Sequence, residues 1–237
     1  MHVYLLKRKL KIKIMDVRIK DLNGLKRRSH VGLYKKGHCI SVQKYHLVCD
    51  YLEKINYSLQ DISVELQKKP NRSVLICIIA YACWIQESVD ELKKCYKSYV
   101  FNSFLFDDII IKENTDFLKA IRSFVLAHPF VTDRHKKYEF DGTLRCIDIR
   151  EDGQDIAFPF VNDVDKFYID VNGKSAYSNQ KIDYWLYIYN DNEYGNMFKQ
   201  YIGISIDTIC KVVNDYIDYL YALDKHMSKT NIQKGIK

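Results

Sequence analysis

The chain has 237 residues, 47% hydrophobic and 28% charged, with nine Gly and three Pro, a balance that suits a folded protein with a buried core and excludes a disordered or fibrous one. The formal charge is +7, yet residues 1–38 hold twelve Lys or Arg against two Asp, a local +10 that leaves −3 on everything else. Lysines and an arginine interrupt the first fourteen residues before any signal-peptide core can form, and the longest apolar run, Val74 to Ile85, is twelve residues against the about 20 that a membrane-spanning helix needs.

The basic excess falls in two runs, Lys7, Arg8, Lys9, Lys11 and Lys13, then Lys26, Arg27 and Arg28. Clusters of this kind bind nucleic-acid phosphates by releasing counterions, without reading sequence. A solvated arm, or an edge strand guarded by lysines, has the same composition. Residues 1–38 are therefore set apart as a basic N-terminal arm or strand region, within which Met15 is a second candidate for the natural start.

From Ser41 to Lys68, Tyr45, Val48, Leu52, Ile55, Leu59, Ile62 and Leu66 recur at steps of three and four, which predicts one long amphipathic helix. Lys69-Pro70-Asn71-Arg72-Ser73 breaks it, and Ser73 is the expected cap of a second helix running to about Tyr99. The short turn implies an antiparallel helical hairpin. Asn114-Thr115-Asp116 then supplies capping chemistry for a third helix, expected to end at His128 because Pro129 disfavours helical geometry before it.

Between Tyr138 and Tyr189 the period shortens to two. Thr143–Arg150, Lys166–Val171 and Asp183–Tyr189 read as strands, and Asp152-Gly153 and Asn172-Gly173 are hairpin-closing dipeptides. Tyr184, Trp185, Tyr187 and Tyr189 crowd the last strand. Exposed rings there would stack unpaired bases, whereas their alternation with Leu186 and Ile188 indicates a strand covered on both faces. Helical period is expected again from Met197 to His226, and residues 228–237 are expected to fray. The organisation read from the chain is an arm (1–38), a helical bundle with its motif helix (39–137), a β-rich insertion (138–192), and a closing helix with a frayed tail (193–237).

Seven cysteines at irregular spacing, four of them in apolar helical pattern, read as buried thiols of a reducing compartment. There is no CxxC, HExxH or paired-histidine spacing, so neither a metal site nor a cofactor is expected. The expected location is the cytoplasm, with no membrane partner.

One segment carries chemistry. Ile121-Arg122-Ser123-Phe124-Val125-Leu126-Ala127-His128-Pro129 sets an arginine six residues before a histidine at the end of an otherwise apolar helix. It resembles the arginine, polar residue, apolar stretch and Ala-His signature of the HEPN superfamily, helical bundles that are frequently metal-independent ribonucleases. Ser123 stands where that family often has Asn, which helps orient the site. The resemblance implies a mainly α fold, a HEPN-like helical bundle here carrying a small antiparallel β insertion. It also implies RNA as substrate, Arg122 and His128 as catalytic residues, and a homodimer whose motif helices meet to complete one cleft. On an ideal helix the two residues lie about 9 Å apart along the axis and about 120° apart around it, so they do not share one stripe, and the resemblance implies that a second copy brings both pairs into one cleft. The alternative on the same fold is a non-catalytic RNA- or protein-binding module of a defence or toxin-antitoxin system, with an antitoxin or other protein as partner.

Overall fold

In a computed structural model of the chain, the described residues are 42–100, 108–127, 130–132, 143–151, 166–169, 175–176, 182–191, 194 and 197–233. They form α1 (Val42–Glu65), α2 (Arg72–Val100), α3 (Asp108–Arg122) and α4 (Ile206–Gln233), with a π-helical turn, Ser123–Ala127, continuing α3. The strands are β1 (Phe130–Thr132), β2 (Thr143–Glu151), β3 (Lys166–Ile169), β4 (Ser175–Ala176), β5 (Tyr184–Asp191) and β6 (Met197–Ile204). The fold is mainly α with a small β insertion. The basic arm and both glycine dipeptides lie outside the described residues.

The chain divides into two compact units. The first takes in α1, α2 from Trp84, α3 to Ile111 and α4 from Val212. Val48, Leu52, Ile55, Leu59, Ile62 and Leu66 are all at most 1% exposed, so the three-four stripe is the buried side of α1, each side chain contributing about 1.5–3 kcal/mol. Ile85, Val89 and Leu92 of α2, and Val212, Val213, Tyr216, Ile217, Leu220 and Leu223 of α4, complete this core. Cations cross its surface: Lys54 Nζ lies 4.9 Å from the Trp84 ring centre, and Lys93 Nζ 5.2 Å from that of Tyr219. Such contacts add roughly 0.5–1 kcal/mol at exposed sites.

The second unit holds Lys69–Cys83 and Lys112–Lys211. Here α2 begins earlier than its sequence suggests, because its cap is Asn71 and not Ser73. The Val74 amide donates to Asn71 Oδ1 at 3.1 Å, the geometry of an N-cap side chain satisfying the third amide of the helix. Arg72–Cys95 of α2 is long and apolar enough to cross a membrane by length and composition, and more than half of its most apolar window is buried within the protein. The third helix also starts early, at Asp108, and Asn114 is 2% exposed inside it. The apolar run Ile109-Ile110-Ile111 upstream extends the helix through that capping sequence.

The strands lie in the order β1-β2-β5-β6-β3-β4. The centre, β2-β5-β6, is antiparallel, with Asp148 opposite Tyr187 and Tyr187 opposite Tyr201. A bulge between Leu144 and Cys146 takes up one residue of β2, and there Arg145 donates to Asp191 Oδ2 through Nε at 2.7 Å. Strand β3 runs parallel to β6 and antiparallel to β4.

The expectation of helix from Met197 to His226 is wrong over its first eight residues, which form β6. Phe198, Gln200, Ile202 and Ile204 alternate with Lys199, Tyr201 and Gly203, so the segment also satisfies a period of two, and eight paired positions with β5 decide the matter. The helix proper begins at Ile206 and continues through Gln233, past the point where fraying was expected. Its start is held from the opposite strand entry: the Ile206 amide donates to Asp183 Oδ2 at 2.9 Å. Asp183→Ala is expected to cost about 1 kcal/mol, with Asp183→Asn retaining most of it, as measured by the shift in urea midpoint at constant slope.

Candidate functional site

The motif sits where α3 gives way to the sheet. Lys119 and Arg122 occupy the last turn of α3, where cationic side chains favour the negative end of the helix dipole. The chain then widens into the π-helical turn instead of continuing as regular helix to His128, and β1 begins at Phe130. Single π turns inside helices are uncommon and recur at functional sites.

Burial through this segment is uneven. Ser123, Phe124 and Val125 are 8%, 0% and 7% exposed, three consecutive residues turned into the protein. Arg122 before them and Ala127 after them are exposed, with Leu126 half-buried. The described ends of the motif therefore reach the surface while its middle is anchored. His128 follows Ala127 directly and lies outside the described residues, as do Lys7, Arg8, Lys9, Lys11, Lys13, Lys26, Arg27 and Arg28. Of the three motif residues, the structure thus places Arg122 on the surface and Ser123 in the core.

A second constellation, which no contiguous stretch of sequence displays, lies on the sheet. Cross-strand register aligns Cys146, Tyr189 and Lys199 in one row, Asp148, Tyr187, Tyr201 and Lys166 in the next, and Arg150, Trp185 and Gly203 in a third. Directly opposed residues share a face of a sheet. The intervening positions are Ile147, Ile149, Leu186, Ile188, Gln200 and Ile202, of which Leu186, Ile188 and Ile202 are at most 1% exposed. One side of the sheet is thus mainly aliphatic, with Asn190 buried in it and donating to Gln200 Oε1 at 2.6 Å, and the other carries the rings of β5 and β6 with Asp148 and Arg150.

On the polar side, Tyr187 is 1% exposed, and its ring meets that of Tyr201 edge-on with centres 4.6 Å apart. The Arg150 guanidinium carbon stands 5.4 Å over the Tyr187 ring. Arg150 is oriented by Asp148, to which Nε donates at 2.7 Å, and this hydrogen bond raises the guanidinium pKa further above its ordinary value. Arg72 Nη1, from the first turn of α2, reaches the other Asp148 oxygen at 3.5 Å. Burial pushes the Tyr187 and Tyr201 hydroxyls above the ordinary tyrosine range, so both stay protonated at neutral pH. At Tyr201 the neighbouring Tyr189 adds to the effect of burial. Trp185 and Tyr189, at either end of this row of rings, are half-buried. The side chain of Ile182 lies against Gly203, where an added Cβ would come within 2.7 Å of Ile182 Cδ1.

The expectation that both faces of β5 are covered thus holds from Leu186 to Ile188, and toward the ends it holds for the face of Tyr184 and Asn190, while Trp185 and Tyr189 on the other face are half-buried. The signal for the two-sidedness was present in Ile147-Asp148-Ile149-Arg150, whose alternation matches that of Trp185 to Tyr189 once the two strands are paired. Among the described residues no group of three or more His, Cys, Asp or Glu side chains gathers as a metal site. No protein-family model, curated protein or solved structure matches this chain.

Proposed function

We propose that this protein is a HEPN-like endoribonuclease that cuts RNA without a metal, Arg122 and His128 forming the site and two copies of the chain completing it. The observation that carries the reading is the exposure pattern of the motif: Arg122 and Ala127 are exposed on either side of the buried Ser123–Val125. RNA brings its own nucleophile, the 2′-hydroxyl, so the protein must supply a proton acceptor, a proton donor for the leaving oxygen, and positive charge at the phosphorus. Histidine, with an unperturbed pKa of about 6.5, exchanges protons near neutrality. Arginine holds two phosphate oxygens through its planar fork. DNA, lacking the 2′-hydroxyl, is expected to survive.

The reading is tested by incubating purified protein with mixed-sequence RNA in chelator beside an identically prepared His128→Ala protein, which separates the chain's own activity from a contaminant. The second reading, a non-catalytic RNA- or protein-binding module, is favoured by one observation. Ser123 is buried where the resembling family often places an orienting Asn. Equal cleavage by both proteins, or cleavage by neither, selects it.

The arm has its own expected result. Deleting residues 1–38 removes the local +10 and should lower RNA affinity and flatten its dependence on salt, since each phosphate contact contributes a slope of about −0.7 for a single strand. An unchanged affinity and slope would make the arm a solvated tail.

A further inference from the structure

We infer that two copies of this chain pair through the outer side of α1, antiparallel about a two-fold axis at the level of Leu52, so that Leu47 of one copy packs against Tyr57 of the other and Asp50 of one meets Lys54 of the other. The inference does not rest on the ribonuclease reading: the pairing is a contact between copies whether or not the chain cuts RNA.

The first observation is a second apolar spacing on a helix whose core stripe is already accounted for. Leu47, Tyr57 and Val64 are 46%, 42% and 52% exposed. With Asp50, Lys54 and Asp61 between them they recur at steps of three and four, the spacing of a coiled-coil seam, about 150° around the helix from the buried stripe of Val48 to Leu66. Isolated exposed apolar side chains are ordinary on a protein surface, but three on one seam of one helix form a face. Trp84 of α2 extends it. Its ring is 39% exposed and lies 4.9 Å from Lys54 Nζ, so it borders the seam, and all of these residues belong to the first compact unit. Aromatic and aliphatic side chains left open together have the composition of an interface core.

The second observation is charge, which selects both the occupant and its register. Among the described residues neither Asp50 nor Lys54 has an ion-pair partner in its own chain, so both charges remain to be matched. A parallel pair of α1 helices would set Asp50 against Asp50 and Lys54 against Lys54. An antiparallel pair that faces Leu47 with Val64 would set Asp50 against Asp61 twice. The antiparallel register that faces Leu47 with Tyr57 sets Asp50 against Lys54 twice, two ion pairs flanked by two apolar layers. That register is self-complementary, as a two-fold contact between identical surfaces must be. Its ion pairs fix alignment more than they supply affinity, and the contact with Trp84 holds Lys54 in place before pairing. Asp61 and Val64 fall beyond these four layers.

The test is sedimentation equilibrium of the full-length chain over a concentration series, with circular dichroism to establish that each variant is folded. Wild type should associate reversibly to a dimer. Asp50→Lys and Lys54→Asp, each alone, should weaken the dimer by about 10-fold or more, because the two-fold axis turns one reversal into two like-charge contacts. The double variant, Asp50→Lys with Lys54→Asp, exchanges the partners and should recover most of the lost affinity. Tyr57→Ser should weaken the dimer, while Tyr57→Phe, which keeps the ring, should match wild type.

A chain that stays monomeric at every concentration would overturn the pairing, and with it the two-copy site proposed above. A dimer indifferent to both single reversals would overturn the pairing alone, since the contact would then lie on another surface. Loss in both single variants without recovery in the double would overturn the antiparallel register. Dimerisation that follows the charges as described, in a chain that leaves RNA intact, would support the pairing and defeat the ribonuclease.

Discussion

His128→Ala is expected to slow RNA cleavage by about 10²- to 10⁴-fold, the loss that follows removal of a proton-transfer group from a reaction that depends on it. Arg122→Lys should also impair cleavage, because an ammonium keeps the charge and loses the planar fork that grips two oxygens. Arg122→Lys should not unfold the protein. Arg122 is exposed at the end of α3, and replacing a surface residue usually moves stability by less than about 0.5 kcal/mol. The pair of outcomes, large in rate and small in stability, is read from initial cleavage rates and denaturant melts on the same preparations. A composite site also requires dimers, and a strictly monomeric protein in light scattering would remove that part of the account.

The largest expected loss of stability lies two residues along the same segment. Phe124 is 0% exposed in the π-helical turn, and Phe124→Ala should cost about 3–5 kcal/mol through lost burial and the cavity left behind. Ala127→Ser, at an exposed position of the same turn, should change little. The comparison isolates packing from any disturbance of the turn's backbone, and a urea titration monitored by circular dichroism measures it. Since Phe124 anchors the middle of the motif, the destabilised variant should also lose cleavage more steeply on warming than the parent does.

What could be read from the sequence follows from where each signal resides. The α1 stripe was legible because its apolar residues keep one period over more than twenty positions, and the six from Val48 to Leu66 are all buried. Strands β2 and β5 were legible for the same reason at period two. Strand β6 was not, since Tyr201 also falls in step with the helical face that continues through Ile209, and only pairing with β5 makes the segment before Ser205 a strand. Nor were the pairings themselves. Thr143 meets Asp191, and Lys166 meets Tyr201 in parallel, contacts that depend on parts of the chain far apart in sequence.

The caps show a finer limit. Ser73 and Asn71 are both good capping residues two positions apart, and the choice of Asn71 turns on which side chain finds an amide three residues ahead. At the candidate site the sequence supplied the residue types of the motif, but neither the π-helical turn nor the split between exposed Arg122 and buried Ser123. Local composition does not encode which side of a short apolar helix faces the protein. The polar face of the sheet was hidden for a related reason: Arg150 and Trp185 become neighbours only through the pairing of β2 with β5.

The central claim is tested most directly by the chemistry of the ends that RNA acquires. Purified wild-type protein in EDTA, given mixed-sequence RNA, should leave 2′,3′-cyclic phosphate and 5′-hydroxyl ends, the products of attack by the neighbouring 2′-hydroxyl, and the His128→Ala protein should leave the RNA intact over the same period. Ends bearing 3′-hydroxyl and 5′-phosphate, activity that EDTA abolishes, or identical cleavage by both proteins would contradict it.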